Sequence, residues 1–218
     1  MINKIKGAIF DMDGTLINSL IVWDVIWEGL RKKFSKGFQI SKEDDKKVRT
    51  MTLSSAMDFV HKEYSLGQSS EELLCELDRI LIDFYKNDVE VKKGVFEFLD
   101  YCLKNNIKMC IASATDVNLL KIVIERFSFD RYFSDILSCA DIGKGKDQPD
   151  IFFKALEVLG TDISETCVFE DSQVAIDTAH KAGFMTVGIF DENNYGYDEI
   201  KKTADICIDD GESLTKLI

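Results

Sequence analysis

The chain nearly lacks proline: Pro149 is the only one in 218 residues, which leaves few places for a rigid linker between modules. Six cysteines (Cys75, Cys102, Cys110, Cys139, Cys167 and Cys207) form no CxxC pair. Their scatter argues against a zinc site or a disulfide framework and for reduced thiols, most of them in the core. Basic residues are in deficit, 27 against 39 acidic, for a net charge of −12. That balance disfavours nucleic acid or an anionic membrane as partner, since both are held by basic surface. No uncharged apolar run approaches the roughly 18 residues that a membrane span needs. The opening MINKIKGAIFDMDG reaches aspartate and glycine too early for a signal peptide. Self-similarity at a period of about 20–50 residues is missing as well, which removes the solenoid classes. The expectation is a cytoplasmic chain, with no nucleic acid or membrane partner, and nothing demands more than a monomer.

What is present is a 45% hydrophobic chain in which short β-like apolar runs alternate with helical patterns over the second half. The spacing predicts strands at Ile5–Phe10, Ile107–Ala112, Ile136–Cys139, Thr166–Phe169, Met185–Ile189 and Ala204–Ile208. It predicts helices at Gly94–Asn105, Asn118–Phe127, Pro149–Leu159 and Gln173–Ala182. Buried parallel strands joined by crossover helices account for the alternation, giving a doubly wound α/β core. From Leu16 to Val91 the rhythm changes to helix after helix, with apolar residues at helical spacing in Val22–Phe34, Leu53–Tyr64 and Ser70–Asn87. An ordinary crossover needs only about a dozen residues. The segment therefore reads as an inserted all-helical domain, with residues 16–91 as insert and residues 1–15 and 92–218 as core.

Carboxylates collect where predicted strands end. The run Ala8-Ile9-Phe10-Asp11-Met12-Asp13-Gly14-Thr15 closes a buried strand with two aspartates on one side and Met12 on the other. In open α/β sheets the ligand crevice lies at the carboxyl ends of the strands. Two clustered carboxylates there are costly unless a cation sits between them. The second strand ends Ile111-Ala112-Ser113-Ala114-Thr115, where a hydroxyl and backbone N–H groups are able to hold a phosphate oxygen. Lys146, with Lys144 as competitor, lies on a glycine-bearing loop ahead of a helix and is able to neutralise a carboxylate and a phosphoryl group. Val168-Phe169-Glu170-Asp171-Ser172 ends the fourth strand in two more carboxylates, which suits a hard cation such as magnesium. His61 and His180 lack metal-ligand spacing.

In this order, FDMDGTL, IASAT, GKDQPDIF and FEDS followed by AIDTAHKAG resemble the four motifs of the haloacid dehalogenase superfamily. The helical insertion after the first motif resembles the cap of its subfamily of β-phosphoglucomutases and small phosphatases. The resemblance implies a Rossmann-like core with a helical cap, and a Mg2+-dependent phosphatase acting on a small phosphorylated metabolite through an aspartyl-phosphate. It makes Asp11 the nucleophile and Asp13 the general acid and base. Ser113, Ala114 and Lys146 would bind the phosphoryl group. Asp11, the backbone carbonyl of Asp13, Asp171 and Glu170 (directly or through water) would hold magnesium. Asp147 stands where the family's third motif usually has a proline, while Pro149 and Asp150 keep the register on Lys146; Ala175 replaces a common glycine.

By the same resemblance, the cap sets specificity. Trp23 and Trp27 lie four apart on one helix face; Trp23 is taken as a substrate contact, and Arg49 as a second. A sugar-phosphate mutase of this type needs a cap histidine and a cap arginine. Those positions fall on Trp23 and Leu53, with Arg49 one turn away, and both losses favour hydrolysis. A β-phosphoglucomutase-type mutase is the alternative enzyme. A non-catalytic phosphometabolite-binding protein on the same fold is the alternative from another class, and the intact Asp11–Asp13 pair argues against it. A dehalogenase would lack an equivalent of Asp13, and a phosphonatase would need a lysine in an apolar cap pocket.

Overall fold

The computed structural model describes residues 2–49 and 51–218. It divides into two compact units, one formed by the segment up to Leu20 with Val89–Ile218, the other by Ile21–Asp88.

In the first unit the described strands are β1 (Gly7–Phe10), β2 (Lys108–Ser113), β3 (Ile136–Ser138), β4 (Thr166–Glu170), β5 (Met185–Ile189) and β6 (Ile206–Ile208). They form one sheet in the order β3-β2-β1-β4-β5-β6, every pairing parallel. From β1 the chain builds outward through β2 and β3, then returns to lay β4 on the other side of β1. The reversal leaves a crevice at the carboxyl ends of β1 and β4, the usual ligand position in such sheets.

Both faces of the sheet are covered, as the unbroken apolar strands require. Ile9, Cys110, Ala112 and Val168 pack with Ile151, Phe152, Ala155 and Leu159 and with Ala175 and Ala179. These come from the helices at Asp150–Leu159 and Gln173–Ala182. The alternate residues point the other way. Phe10 stacks on Phe169 at 4.5 Å between ring centroids and meets Phe98 and Phe133 edge-on at 6.2 and 5.8 Å. Phe98 belongs to the helix Val95–Lys104. The period of two along β1 thus splits its side chains between two helical layers.

In the second unit the described regular elements are all helices. Its helices are α1 (Val22–Lys33), α2 (Lys42–Val48), α3 (Leu53–Tyr64) and α4 (Ser70–Asp83). Ser41, Thr52 and Ser69 accept the N–H groups of Asp44, Ser55 and Glu72 at the starts of α2, α3 and α4, satisfying donors that a helix start leaves open. Ile26, Leu30, Met57, Val60, Leu73 and Leu77 are fully buried. In the first unit the helices continue as α5 (Val95–Lys104), α6 (Val117–Phe127), α7 (Cys139–Ile142), α8 (Asp150–Leu159), α9 (Gln173–Ala182) and α10 (Tyr197–Thr203).

Beyond shifts of one or two residues at element ends, three details differ from the sequence expectations. The helix expected over Ser70–Asn87 is α-helical to Asp83 and then loosens into a π turn at Phe84–Asp88. Cys139 opens α7 instead of ending β3, because the Ser138 hydroxyl accepts the Ala140 N–H and caps a helix there. Expected boundaries at residues 15/16 and 91/92 move to Leu20/Ile21 and Asp88/Val89. The reason is a short antiparallel crossing: Ile17 bridges Val91, Asn18 N–H donates to Glu90 O at 2.8 Å, and Lys92 N–H to Leu16 O at 2.9 Å. Leu16 and Ile17 are fully buried, so the connections belong to the α/β unit.

Phe10 is the central ring of the second layer, and Phe10→Ala should cost about 3–5 kcal/mol of stability. Chemical denaturation of the α/β unit checks this; a loss below about 1 kcal/mol would mean that the aromatic layer is not the core it looks to be.

Candidate active site

At the end of β1 the backbone continues its ladder for one more residue, Asp11 N–H donating to Phe169 O at 3.0 Å. The chain then turns: Leu16 and Ile17 N–H groups both donate to Met12 O, and Met12 is buried in the apolar interior. Gly14 makes this turn with φ at +79°, and a Cβ there would collide with the Asp171 carboxylate. The glycine is needed twice over, for a left-handed backbone and for space.

Asp11, Glu170 and Asp171 come together there, with carboxylate oxygens within 4.8 Å of one another. They are 7%, 1% and 5% exposed. Among the described residues this is the group of acids able to hold a metal ion. Lys146 reaches in from the loop before α8, its ammonium donating to Asp11 Oδ1 at 2.5 Å and to Glu170 Oε1. Lys144, its competitor in the sequence, is half exposed and paired with Asp150 at 2.6 Å. Three buried carboxylates therefore share one ammonium.

The electrostatic consequence is direct. Burial, the Glu170 and Asp13 charges outweighing what Lys146 returns, pushes the Asp11 carboxyl up to about 8. Burial and the neighbouring carboxylates raise Asp171 well above the usual range. Burial works against the Lys146 ammonium, but Asp11 and Glu170 outweigh it and hold the lysine charged. Such a site binds protons when it has no cation, and its all-oxygen donor set fits a hard divalent ion.

Asp13 is half-buried and its carboxylate stands outside the three-acid cluster. Its Oδ2 accepts the Thr115 hydroxyl at 2.6 Å. Ser113 ends β2, buried, with Oγ accepting Thr115 N–H at 3.1 Å; exposed Ala114 lies between them. Trp23 and Arg49 lie in the helical unit, the guanidinium 5.9 Å from the Trp23 ring centroid. Arg49 is also held by Asp45 at 3.0 Å and faces Asp24 at 3.5 Å. Trp27 is buried and donates its indole N–H to Asp45 at 2.6 Å. His61 hydrogen-bonds Leu66 O and His180 faces Asp205, and neither belongs to the carboxylate cluster.

Sequence reasoning gave no role to Thr15, Thr115, Lys92, Asp191 or Asn194. The Thr15 hydroxyl points at Asp171 Oδ1 from 3.4 Å. Asp191 lies two residues beyond the end of β5, close enough that a search for strand-end acids widened by one residue would have found it.

The family model described as haloacid dehalogenase-like hydrolase matches residues 8–189, more than four-fifths of the chain. This chain belongs to the haloacid dehalogenase-like hydrolases. It is 27% identical over 187 residues to hexitol phosphatase B of Escherichia coli, covering 84% of this chain and 82% of that one. It is 24% identical over 188 residues to the phosphorylated carbohydrates phosphatase of Thermotoga maritima, covering 84% and 83%. In three dimensions it superposes on a Thermotoga maritima protein provisionally identified as a β-phosphoglucomutase, with a TM-score of 0.83, 20% identity and 98% of each chain covered. The last likeness establishes the fold: the α/β sheet is the family's core and the helical unit its cap. The chain is an enzyme, a phosphatase of this family. No described helix is long and apolar enough to cross a membrane.

Asp11 supplies a pH test. Its carboxyl is raised from about 4 to about 8 in the metal-free fold, so its contribution to stability is full below pH 4 and is lost as pH rises through 8. Asp11→Asn removes that dependence. In metal-free protein the Tm of the variant minus that of the wild type should grow between pH 5 and pH 8; a difference independent of pH would contradict the buried, under-compensated cluster.

Proposed function

We propose that this phosphatase is a Mg2+-dependent phosphomonoester hydrolase acting on a small phosphorylated metabolite, with Asp11 as nucleophile and Asp13 as acid and base. The observation that carries the reading is the cluster of Asp11, Glu170 and Asp171 around one lysine at adjacent strand ends. The family's phosphorylated substrates bring further negative charge to a site already short of positive charge, and only a cation makes the two compatible. Asp11, Glu170 and Asp171, with the Asp13 carbonyl, would hold that cation. When bound, magnesium offsets the charge of the carboxylates and of the phosphoryl oxygens and keeps Asp11 ionised near neutral pH.

The chain's own groups do the rest. The Asp11 carboxylate attacks phosphorus in line; the phosphorus–oxygen ester bond breaks, and Asp13 gives its proton to the departing alkoxide. Asp13, now a carboxylate, takes a proton from water as that oxygen attacks phosphorus. The acyl-phosphate bond breaks, which releases inorganic phosphate and restores the Asp11 carboxylate. The Thr115 hydroxyl orients Asp13, which suits a group that must give and take a proton at one place. The Lys146 ammonium, already on Asp11 Oδ1, is placed to follow the charge onto the transferring group. Ser113 and the backbone at Ala114 would bind the remaining phosphoryl oxygens.

Hydrolysis is favoured over transfer between two sugar positions. A mutase must hold a second phosphate, and Arg49, the cap arginine nearest the expected position, is already engaged by Asp45 and Asp24. The histidine position is Trp23, which carries no transferable proton base. Trp23 and Arg49 stack as one patch, and we assign that patch to the leaving group of the substrate.

With an aryl phosphate and Mg2+, Asp11→Asn should lower turnover by more than about 10³-fold while leaving the fold intact, and excess chelator should stop the wild type. Retained turnover in either arm would remove the nucleophile or the metal from the account. With β-glucose 1-phosphate, free phosphate supports hydrolysis and glucose 6-phosphate would establish the mutase.

A further inference from the structure

Asp171 is held from outside the four motifs. The loop after β5 runs Phe190-Asp191-Glu192-Asn193-Asn194-Tyr195, and its Asn194 side-chain amide donates to Asp171 Oδ2 at 2.6 Å and to Asp171 O at 2.7 Å. The orientation of that amide is fixed at its other end, where Asn194 Oδ1 accepts the Tyr195 N–H at 2.8 Å. Nδ2 therefore faces Asp171. On the opposite oxygen, Asp171 Oδ1, the Thr15 hydroxyl stands farther off, at 3.4 Å. One oxygen of the carboxylate is thus firmly engaged by the loop, while the other keeps the weaker contact, in a carboxylate that lies within 4.8 Å of Asp11 and Glu170.

The loop is anchored in turn. Asp191 Oδ1 accepts the Asn193 N–H at 2.8 Å and Asp191 O the Asn194 N–H at 3.1 Å, folding the segment into a compact turn. Asp191 Oδ2 accepts from the Lys92 ammonium at 2.7 Å, and the same ammonium donates to Phe190 O at 3.1 Å. Asp191 is buried and Lys92 partly so, with side chains 4% and 15% exposed. Lys92 sits on the second connecting segment, whose backbone is tied to Leu16 just after the Asp11–Asp13 turn. The chain of contacts thus runs from that segment through Lys92, Asp191 and Asn194 to Asp171.

We propose that Asn194 is the positioning residue for Asp171, fixing its carboxylate in the orientation that receives the metal, and that the Lys92–Asp191 ion pair holds Asn194 in place. The proposal rests on the reading of Asp171 as a metal ligand. A buried carboxylate beside two others would otherwise rotate to lessen repulsion, and that freedom must be removed before a cation is bound. Hydrogen-bond partners that orient a ligand are worth about 10- to 100-fold in metal affinity.

The test is calorimetric titration of Mg2+ into chelator-stripped full-length protein. Asn194→Ala should raise the Mg2+ Kd by about tenfold or more, and Asp191→Asn, which weakens the anchor without opening a cavity, by a smaller factor. At saturating Mg2+ both variants should recover wild-type KM, and Asn194→Ala most of its kcat, a pattern that general damage to the fold would not give. A Kd for Asn194→Ala within twofold of the wild type overturns the assignment. Should that variant fail to fold, Asp191→Asn decides: a weakened Kd supports the proposal and an unchanged one overturns it. Absence of Mg2+ binding to the wild type would overturn the metal reading itself, and this assignment with it.

Discussion

The structure depends on one electrostatic imbalance: Asp11, Glu170 and Asp171 are buried together and have a single ammonium, Lys146, among them. Unpaired buried charge costs several kcal/mol, so a fold does not keep such a cluster for its own stability. The raised carboxyls of Asp11 and Asp171 express the same fact in proton affinity. A divalent cation, as proposed, would relieve the imbalance, and a phosphoryl group would then find positive charge in a chain whose net charge is −12.

The sheet is what makes the cluster possible. β1 lies between β2 and β4, in register from Gly7 to Phe10 on both sides, so the first residues beyond each strand arrive side by side. Reversal of the winding at β1 keeps helices from closing over that end. Beneath it, Phe10, Phe98, Phe133 and Phe169 form a rigid aromatic layer on one face, with the α8 and α9 residues filling the other. Carboxylates that must stay within a few ångströms of one another are thus set on parallel strands, with little freedom to separate.

Much of this was legible in the sequence because each of its signals is local. Buried parallel strands leave continuous apolar runs, and a strand end with two acids is visible in Asp11-Met12-Asp13 and again in Glu170-Asp171. The helices with apolar faces were legible for the same reason. Where the signal is not periodic, legibility fails. α2, KEDDKKV, buries only Val48 and has no apolar stripe to read. The unit boundary depends on Ile17 pairing with Val91, a contact across more than seventy residues. Thr115 and Asn194 were missed because a hydrogen-bonding side chain acquires its meaning from a partner, Asp13 or Asp171, that only the folded chain brings near. Lys144 and Lys146 looked alike in sequence; the fold put one on the surface against Asp150 and the other into the cluster.

The central claim is that Asp11 becomes covalently phosphorylated, and trapping that species tests it most directly. Asp13→Asn should slow breakdown of the intermediate, since water then lacks its base. Incubated with an aryl phosphate and Mg2+, quenched in acid and digested, this variant should carry one phosphoryl group on the peptide containing Asp11, released by hydroxylamine as an acyl phosphate is. A phosphoryl group on any other residue, or phosphate release with no labelled protein at any time, would contradict the account.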